Sequence, residues 1–549
     1  MSAPLLEVED LTVRAHLDDG PRTLVDGVSL TLRRGEILGL VGESGSGKSL
    51  LCRSILRLLP APSLRIDGGT VRLGGRDLTR ASEREMQRVR GGAIGMIFQN
   101  PTSHLDPLMR VGDQIAQGAA FHRSLGPHAA REAAVEILRQ VGFPDPERQR
   151  RGYPHEFSGG MRQRAMIGVA LACEPEILIA DEPTTALDVT IQAQILRLLL
   201  ETRDRRDLSI VLISHDLGVV AQCCDRIAVM RDGRIVEVQE KRALLSAPRH
   251  AYTRALIASH PSMTSVAETP QAPATRAPLL EVEDLRVRFP TGAGLLSGRP
   301  RHFDAVRGVS LRVMAGETLG IVGESGSGKS TLARAILGLT PLAGGRVRFD
   351  GADLAPGGHD RLRQEAAMVF QDPLGSLNPR MTVGEALSEV LRLRGHRDVP
   401  GRVRELLDLV ALGPEFADRR PRSLSGGQCQ RVGIARALAV DPRLVIADEC
   451  VAALDVTIQA QIVNLFRELR ARMGLTLVFI AHDLAIVRNL CQRVVVMRAG
   501  EIVEEGEAAE VLARPRHPYT AALLAAIPDI DPDRPFGPPA IEPAEERTT

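Results

Sequence analysis

The chain has 549 residues, of which 44% are hydrophobic and 25% are charged, and its formal net charge is +1. This length accommodates several domains of about 100–200 residues each, with large buried cores. The nearly balanced charge removes any bulk electrostatic argument for nucleic acid as a partner, and the absence of tryptophan disfavours a single-strand reader built on stacked rings.

Targeting and redox signals predict an intracellular protein. The first ten residues, MSAPLLEVED, lack the basic region and apolar core of a secretory signal. No apolar run approaches the ~18 residues of a membrane helix. The seven cysteines are scattered without C-x-x-C spacing, which favours reduced thiols and disfavours a metal cluster.

A phosphate-binding motif stands early in the chain. ILGLVG, at 37–42, has the pattern of a buried parallel strand, and the apolar residues after it recur at helical spacing. Between them, Gly42-x-x-x-x-Gly47-Lys48-Ser49 is a P-loop signature, whose glycines let backbone N–H groups turn toward phosphate oxygens at a helix N-terminus. Lys48 is expected to reach the β- and γ-phosphates, and Ser49 to ligate Mg²⁺.

Further along, polar residues follow three apolar strands. Because ligands of parallel sheets lie at the carboxyl ends of the strands, these residues are expected beside the P-loop. Asp181 suits the Mg²⁺ shell through water, and Glu182 suits the base that orients and deprotonates an attacking water. His215 suits a γ-phosphate sensor. Gln99 suits a holder of the metal-bound water, with an ordinary polar loop residue as the open alternative.

A second helix N-terminus is predicted at Ser158-Gly159-Gly160, before the strongly helical MRQRAMIGVALA. Ser158 can cap this helix, and the glycines leave its end open to an anion. The segment from about 100 to 165 is helical in pattern and predicts a separate subdomain. Since each P-loop holds its own phosphates, the SGG corner is expected to bind the nucleotide of another P-loop.

The chain is one unit written twice. APLLEVEDL stands at 3–11 and 277–285, VGESGSGKS at 41–49 and 322–330, and every motif from the SGG corner onward recurs 267 residues later. A period this long indicates a domain duplication. Of the three lysines in the chain, two are the P-loop residues Lys48 and Lys329.

The duplication gives two matching sets of site residues. The residues expected to bind nucleotide are Gly42, Glu43, Ser44, Gly45, Ser46, Gly47, Lys48, Ser49, Ser158, Gly159 and Gly160, with Gly323, Glu324, Ser325, Gly326, Ser327, Gly328, Lys329, Ser330, Thr331, Ser425, Gly426, Gly427 and Gln428. The residues expected to be catalytic are Gln99, Glu182, His215, Gln371, Glu449 and His482. The residues expected around Mg²⁺ are Ser49, Gln99, Asp181, Ser330, Gln371 and Asp448.

Composition sets the predicted boundaries. A Pro/Ala/Thr-rich linker at 259–278 separates the first repeat, 1–258, from the second repeat, 279–527. An irregular stretch at 289–304 lengthens the start of the second repeat. The Pro- and Asp-rich tail, 528–549, is expected to be disordered.

The order of P-loop, glutamine, SGGQ, ADE, ALD and histidine resembles the nucleotide-binding domain of ATP-binding cassette (ABC) proteins in both repeats. The resemblance implies an α/β fold of two P-loop NTPase cassettes, each with a RecA-like core, an antiparallel β subdomain and a helical subdomain. It also implies ATP and Mg²⁺ as cofactors. In that family two cassettes pair head to tail and sandwich two ATP molecules, so an intrachain pseudo-dimer is implied, with Asp188 and Asp455 in the D-loops between the sites.

The chain departs from the family pattern in three places. Phe289 matches the aromatic residue that stacks on adenine, whereas the aligned residue of the first repeat is Ala15. Met161 replaces the usual glutamine of the signature. Cys450 follows Glu449 where the first repeat has proline, and a small packed residue is favoured there over a reactive thiol.

PRHAYTRALI at 248–257 and PRHPYTAALL at 515–524 are similar to the C-terminal extension of importer ATPases for dipeptides, oligopeptides and nickel. The resemblance implies ATP hydrolysis that energises import of peptides or related solutes. It implies two transmembrane permease subunits, indirectly an extracytoplasmic solute-binding protein, and a cytoplasmic place on the inner face of the membrane. No cysteine follows either motif within its repeat, so no iron–sulfur cluster is expected.

Two other classes of ABC protein are alternatives to a peptide-type importer ATPase. A soluble tandem ABC ATPase acting in translation or DNA repair is the main alternative, but the linker is short and proline-rich and zinc cysteines are absent. The fused ATPase of a sugar importer often has one degenerate site, whereas both sites here keep their Lys, Asp, Glu and His.

Overall fold

The computed structural model describes residues 3–18, 20–185, 187–259, 277–291, 301–354, 360–452, 454 and 456–534. They form two compact units, one of residues 3–259 with 528–534 and the other of residues 277–527. Most of the predicted linker, most of the irregular stretch at 289–304, and the D-loop residue Asp455 lie outside the described residues.

The first repeat alternates strands and helices. Its strands are β1 (Leu6–Leu17), β2 (Gly20–Leu32), β3 (Ile37–Val41), β4 (Leu64–Leu73), β5 (Arg76–Asp77), β6 (Ile94–Ile97), β7 (Ile177–Asp181), β8 (Ser209–Ile213), β9 (Arg226–Arg231) and β10 (Arg234–Glu240). Its helices are α1 (Lys48–Ile55), α2 (Glu83–Val89), α3 (Pro101–His104), α4 (Val111–Arg123), α5 (Pro127–Gln140), α6 (Pro146–Gln149), α7 (Gly159–Leu171), α8 (Val189–Arg206), α9 (Leu217–Cys223), α10 (Lys241–Ser246) and α11 (Ala251–Ser259).

The second repeat follows the same order. Its strands are β11 (Pro278–Thr291), β12 (Arg301–Met314), β13 (Thr318–Val322), β14 (Gly344–Phe349), β15 (Ala352–Asp353), β16 (Ala366–Val369), β17 (Leu444–Asp448), β18 (Thr476–Ile480), β19 (Arg493–Arg498) and β20 (Glu501–Glu507). Its helices are α12 (Lys329–Ile336), α13 (Asp360–Glu365), α14 (Val383–Leu393), α15 (Val399–Leu409), α16 (Gly426–Leu438), α17 (Val456–Met473), α18 (Leu484–Leu490), α19 (Ala508–Ala513) and α20 (Pro518–Ala525).

A six-stranded sheet is the centre of each repeat, in the order β10-β9-β3-β8-β7-β6 and, in the second, β20-β19-β13-β18-β17-β16. Strands β3, β6, β7, β8 and β9 pair in parallel, and β10 closes one edge as an antiparallel hairpin with β9. Every residue of β3 and β7 is buried, as expected of strands covered on both faces. The carboxyl ends of these parallel strands therefore meet at one edge of the sheet.

Two smaller parts flank the sheet of each repeat. A four-stranded antiparallel sheet, β2-β1-β4-β5 or β12-β11-β14-β15, packs with the P-loop helix in one apolar core. Helices α4, α5 and α7 share a second core with the other face of the six-stranded sheet, as α14, α15 and α16 do in the second repeat. The predicted α/β class with two P-loop cassettes is confirmed. Across the described ranges, no helix combines the length and apolar character that a membrane span requires.

A buried glutamate holds the C-terminal extension of the first repeat onto the sheet. Glu237, on β10, is 8% exposed and accepts hydrogen bonds from the backbone N–H of Arg249 at 2.8 Å and of His250 at 3.0 Å, one on each oxygen. Burial raises the pKa of this carboxyl, but the hydrogen bonds outweigh burial and lower the pKa of Glu237 to about 2. Glu504 receives the equivalent bonds from Arg516 and His517.

Replacing Glu237 with glutamine is expected to destabilise the first repeat by about 2 kcal/mol at pH 7, because the amide places an NH2 donor, and no acceptor, opposite one of the two N–H groups. The stabilisation by a carboxyl with a lowered pKa is complete above its unfolded pKa, near 4.3, and is lost as pH falls toward about 2. Urea unfolding of the wild type and of Glu237→Gln at pH 7 and pH 3 measures the free energy of unfolding of each. The wild type should be the more stable by a smaller margin at pH 3 than at pH 7. An equal margin at both pH values would contradict the prediction.

The first residues after the second repeat belong to the first unit. Arg242, on α10, forms an ion pair with Asp533 at 2.5 Å, and Ile530 packs against the core that the helices share with the sheet. Residues 535–549 of the predicted tail lie outside the described part of the chain.

Candidate active site

The P-loop has the backbone geometry that the glycine spacing predicts. Gly42 has φ 151°, and a Cβ there would lie 2.1 Å from the carbonyl oxygen of Met230; Gly323 has φ 149° and would meet Met497 at 2.2 Å. No residue with a side chain fits such a position. Lys48 donates to the carbonyl oxygens of Gly42 and Glu43, each at 2.8 Å, and Lys329 repeats the pattern on its own loop.

The P-loop serine and the strand-end aspartate meet, as predicted. Ser49 Oγ donates to Asp181 Oδ1 at 2.7 Å, and Ser330 donates to Asp448 Oδ1 at 2.8 Å. Burial raises the pKa of Asp181, and the hydrogen bond from Ser49 offsets part of that rise. Asp181 Oδ2 is buried and has no hydrogen-bond partner among the described residues. A hydroxyl beside a carboxylate with an unused oxygen fits the oxygen ligands that Mg²⁺ requires.

The side chains of Gln99 and His215 both lie close to the carboxylate of Glu182 in the first site. Gln99 Nε2 donates to Glu182 Oε2 at 2.8 Å, and His215 Nδ1 lies 3.5 Å from the same oxygen. Burial raises the pKa of Glu182, but the hydrogen bond and charge of His215, with further donors, outweigh it and lower the pKa to about 2. In turn, burial lowers the pKa of His215, and Glu182 more than restores it, to above its usual value.

The second site shares the glutamine contact and differs in its histidine. Gln371 Nε2 donates to Glu449 Oε2 at 2.8 Å, and Lys329 Nζ lies 3.9 Å from Glu449 Oε1. His482 also follows a strand, but it makes no ion pair with Glu449 within the described part of the chain. In each repeat the structure joins the predicted serine to its aspartate and the predicted glutamine to its glutamate, and of the two histidines His215 lies within ion-pair distance of its glutamate.

Both glutamates stand on strained backbone. Glu182 has φ 48° and Glu449 has φ 45°, in the left-handed region that side chains rarely adopt. Such positions cost of order 1–3 kcal/mol and cluster at active sites. Positive φ also recurs at matched positions outside the site, such as Glu174 with Asp441 and Asp232 with Ala499, so this conformation belongs to the repeated fold and does not by itself assign a chemical role.

The SGG corners are helix N-termini, as predicted. Ser158 Oγ accepts from the N–H of Met161 at 3.4 Å, and Ser425 Oγ accepts from the N–H of Gln428 at 3.3 Å. A Cβ on Gly159 would meet nothing within 4 Å, so the end of α7 is open. No hydrogen bond or ion pair in the described ranges joins Ser158 to the P-loop of its own repeat.

The residues that depart from the family pattern differ in how far they are buried. Phe289 lies on β11, is 40% exposed and pairs across the strands with Phe303; its role in gripping adenine stays a prediction. Ala15 is 7% exposed, and Met161 is partly buried against the helical core. Cys450 is 2% exposed, and burial raises the pKa of its thiol to about 12, which favours the packed interpretation over a reactive one.

A tyrosine that is not among the predicted site residues contacts each P-loop. The N–H of Glu43 donates to Tyr252 Oη at 3.1 Å, and the N–H of Glu324 donates to Tyr519 Oη at 3.1 Å. Both tyrosines lie in the C-terminal extensions and are less than 10% exposed. The signal was available, because the chain has three tyrosines and two of them recur at matched positions.

Comparison with known proteins identifies the family of both repeats. A family model described as "ABC transporter" matches residues 25–185 and 306–452. A model described as "Oligopeptide/dipeptide transporter, C-terminal region" matches residues 236–284 and 503–548. Among solved structures, the dimeric structure of MJ0796, a bacterial ABC transporter cassette, is 26% identical, with a TM-score of 0.39 and coverage of 43% of this chain and 98% of that one.

Two relatives match over nearly the whole length. The peptidoglycan transport ATP-binding protein YejF of Agrobacterium fabrum is 44% identical over 537 residues, covering 96% of this chain and 97% of the relative. The glutathione import ATP-binding protein GsiA of Escherichia coli K12 is 43% identical over 563 residues, covering 96% and 90%. The chain therefore belongs to the ABC transporter family, as an ATP-hydrolysing protein with two cassettes in tandem.

Proposed function

We propose that the chain is the ATP-hydrolysing subunit of a membrane importer for peptides or related small solutes, with two composite ATP sites. The observation that carries the proposal is that each ABC transporter match is followed by an oligopeptide/dipeptide transporter C-terminal region. Of the two relatives, one is named for peptidoglycan transport and the other for glutathione import, and both substrates contain peptide bonds.

The residues of each site have separate roles in binding and hydrolysing ATP. The P-loop amides and Lys48 bind the triphosphate of ATP, and Glu182 orients and deprotonates the attacking water while Gln99 fixes its carboxylate. Mg²⁺, held by Ser49 and Asp181, would neutralise charge that develops on the phosphates. In the second site the corresponding residues are Lys329, Glu449, Gln371, Ser330 and Asp448.

Each ATP is proposed to lie between the P-loop of one repeat and the SGG corner of the other. The corners support this arrangement because they are capped helix ends, open to an anion and without a bond to their own P-loop in the described ranges. ATP can drive closure only through a higher affinity for the closed state, and contacts from both repeats supply that difference.

The membrane components are proposed to be two permease subunits, served by an extracytoplasmic solute-binding protein, with the chain on the cytoplasmic face. The helical subdomain is the proposed docking surface for the permeases. Large apolar side chains support this choice, since Leu108 is 87% exposed, Phe121 is 65% exposed and Leu393 is 82% exposed. Leu108 and Phe121 belong to the helical subdomain of the first repeat and Leu393 to that of the second, so each helical subdomain offers apolar contact area for a partner.

Uptake by cells tests the proposal. Deleting the gene from its host should lower the uptake of labelled di- and oligopeptides, and the wild-type chain should restore it. The matched control is the chain with Glu182→Gln and Glu449→Gln, which should be made in equal amount and fail to restore uptake.

The alternative, a soluble tandem ATPase acting in translation or DNA repair, predicts a different outcome. Peptide uptake would then be unchanged in the deletion strain, and the chain would sediment with ribosomes or bind DNA whether or not permease subunits were present. A membrane fraction that retains the chain only when permease subunits are coexpressed would contradict that alternative.

A further inference from the structure

Besides the different placing of its histidine, Glu182 accepts one hydrogen bond that has no counterpart on Glu449. Thr185 Oγ1 donates to Glu182 Oε2 at 2.8 Å, the same oxygen that receives the amide of Gln99. The residue that matches Thr185 in the second repeat is Ala452, whose methyl group cannot donate. Glu449 therefore keeps the glutamine bond and lacks the hydroxyl bond.

The backbone around this difference is the same in both repeats. The N–H of Thr185 donates to the carbonyl oxygen of Glu182 at 3.2 Å, and the N–H of Ala452 donates to that of Glu449 at 3.1 Å. Each glutamate thus begins a four-residue turn that closes on the residue three positions later. The closing hydrogen bond of the turn is thus the same in both repeats, and at its fourth position the first repeat has a hydroxyl that the second lacks.

Two donors that converge on one carboxylate oxygen restrict the side chain more than one donor does. A glutamate side chain carries about 1.5–2 kcal/mol of rotamer entropy that must be removed for a fixed geometry. A group that must orient a water depends on that geometry, and supporting hydrogen bonds supply it. The first site has this support from a residue on its own turn, and the second does not.

We propose that Thr185 is a positioning residue for Glu182, and that the first ATP site therefore hydrolyses ATP faster than the second. This inference rests on the proposed role of Glu182 as the base. It adds that the two sites of one chain are unequal because of a side chain three residues beyond each glutamate. Thr185 touches no part of the substrate in this account; it acts through the carboxylate.

The test uses the full chain and steady-state ATP hydrolysis. Thr185→Val keeps the shape of the side chain and removes the hydroxyl. The rate of the first site is expected to fall about 10-fold, the effect of one lost hydrogen bond to a charged group. The kcat of the whole chain then falls about fivefold, because the second site already lacks the bond and keeps its own slower rate. The KM for ATP should change less than about twofold, since binding does not use this bond. Thr185→Ser restores the donor and should keep kcat within about twofold of the wild type.

The reverse substitution tests the inequality of the sites. Ala452→Thr places a hydroxyl on the second turn and is expected to raise kcat of the chain nearly twofold at most, to about 1.8-fold, because it brings the slower second site up to the rate of the first. An unchanged kcat in Ala452→Thr would overturn the inequality. Equal kcat values in Thr185→Val and the wild type, or an equal loss in Thr185→Ser and Thr185→Val, would overturn the positioning role. If Thr185→Val does not fold, Thr185→Ala takes its place.

Failure of the inference can be told apart from failure of the proposed function. If Glu182→Gln hydrolyses ATP at the wild-type rate, the assignment of the base fails and the inference falls with it. If Glu182→Gln loses turnover while Thr185→Val keeps it, only the inference fails. Adding Thr185→Val to Glu182→Gln should lower kcat no further, because the hydroxyl acts through the carboxylate.

Discussion

Replacing Glu182 and Glu449 together with glutamine is expected to lower kcat for ATP hydrolysis by about 10³-fold, within the range that loss of a general base produces. Glutamine keeps the shape of each side chain and can still accept the bonds from Gln99 and Gln371, but it cannot take a proton from water. ATP should remain bound, because Lys48 and Lys329 are untouched. Phosphate release and equilibrium binding of labelled ATP measure the two effects.

The matched control changes two other glutamates that are 267 residues apart. Glu201 and Glu468 lie on the exposed faces of α8 and α17, away from the P-loops, and their replacement with glutamine should leave kcat within about twofold. Undiminished hydrolysis in the chain with Glu182→Gln and Glu449→Gln would contradict the assignment of the base. Loss of ATP binding in that chain would show that the glutamates act in binding.

The matched surroundings of the two glutamates explain why they are tested as a pair. Each accepts a hydrogen bond from a glutamine at 2.8 Å, and each has a positive φ, 48° at Glu182 and 45° at Glu449. A variant of one glutamate alone would leave the other proposed base in place.

The elements that place the site could be predicted because they are local. A buried strand, a glycine-rich loop and a helix occupy consecutive residues in the P-loop, so their order alone places Lys48 and Ser49. Asp181 follows from a second rule, that parallel strands end at one edge of the sheet. The capped helix at Ser158 likewise needs only the sequence from 158 to 171.

The contacts that could not be predicted depend on packing between distant segments or on a single side-chain torsion. Tyr252, on α11, bonds to a P-loop residue that is 209 positions earlier in the chain, a relation that no local pattern specifies. The bond from Thr185 depends on the turn that follows a strained glutamate, and a threonine in the same motif without that turn would point elsewhere. Residues 528–534 follow the second repeat in sequence but belong to the first unit. Composition does not specify such a long-range contact, and it predicted only a tail.

Two pairs of substitutions distinguish composite sites from sites within one repeat. Both pairs are made in a chain that already carries Glu182→Gln and Glu449→Gln. The first pair combines Lys48→Ala with Gly426→Asp. The second pair combines Lys48→Ala with Gly159→Asp. The aspartates place negative charge where phosphate would bind, at helix ends that favour an acidic side chain for stability. A Cβ at Gly159 meets nothing within 4 Å, and one at Gly426 meets only Leu454 at 3.6 Å, so both variants should fold.

If each ATP lies between the repeats, Lys48 and Gly426 belong to one site, and the first pair leaves the other site whole. That chain should retain about one ATP through gel filtration, because one closed site traps its nucleotide. The second pair damages both sites and should retain none. If each ATP lay within one repeat, Lys48 and Gly159 would share a site and the two results would exchange. The two variants carry the same kinds of substitution, so each is the control for the other. The variant that retains ATP therefore shows whether a P-loop shares its site with the SGG corner of the other repeat or with that of its own repeat.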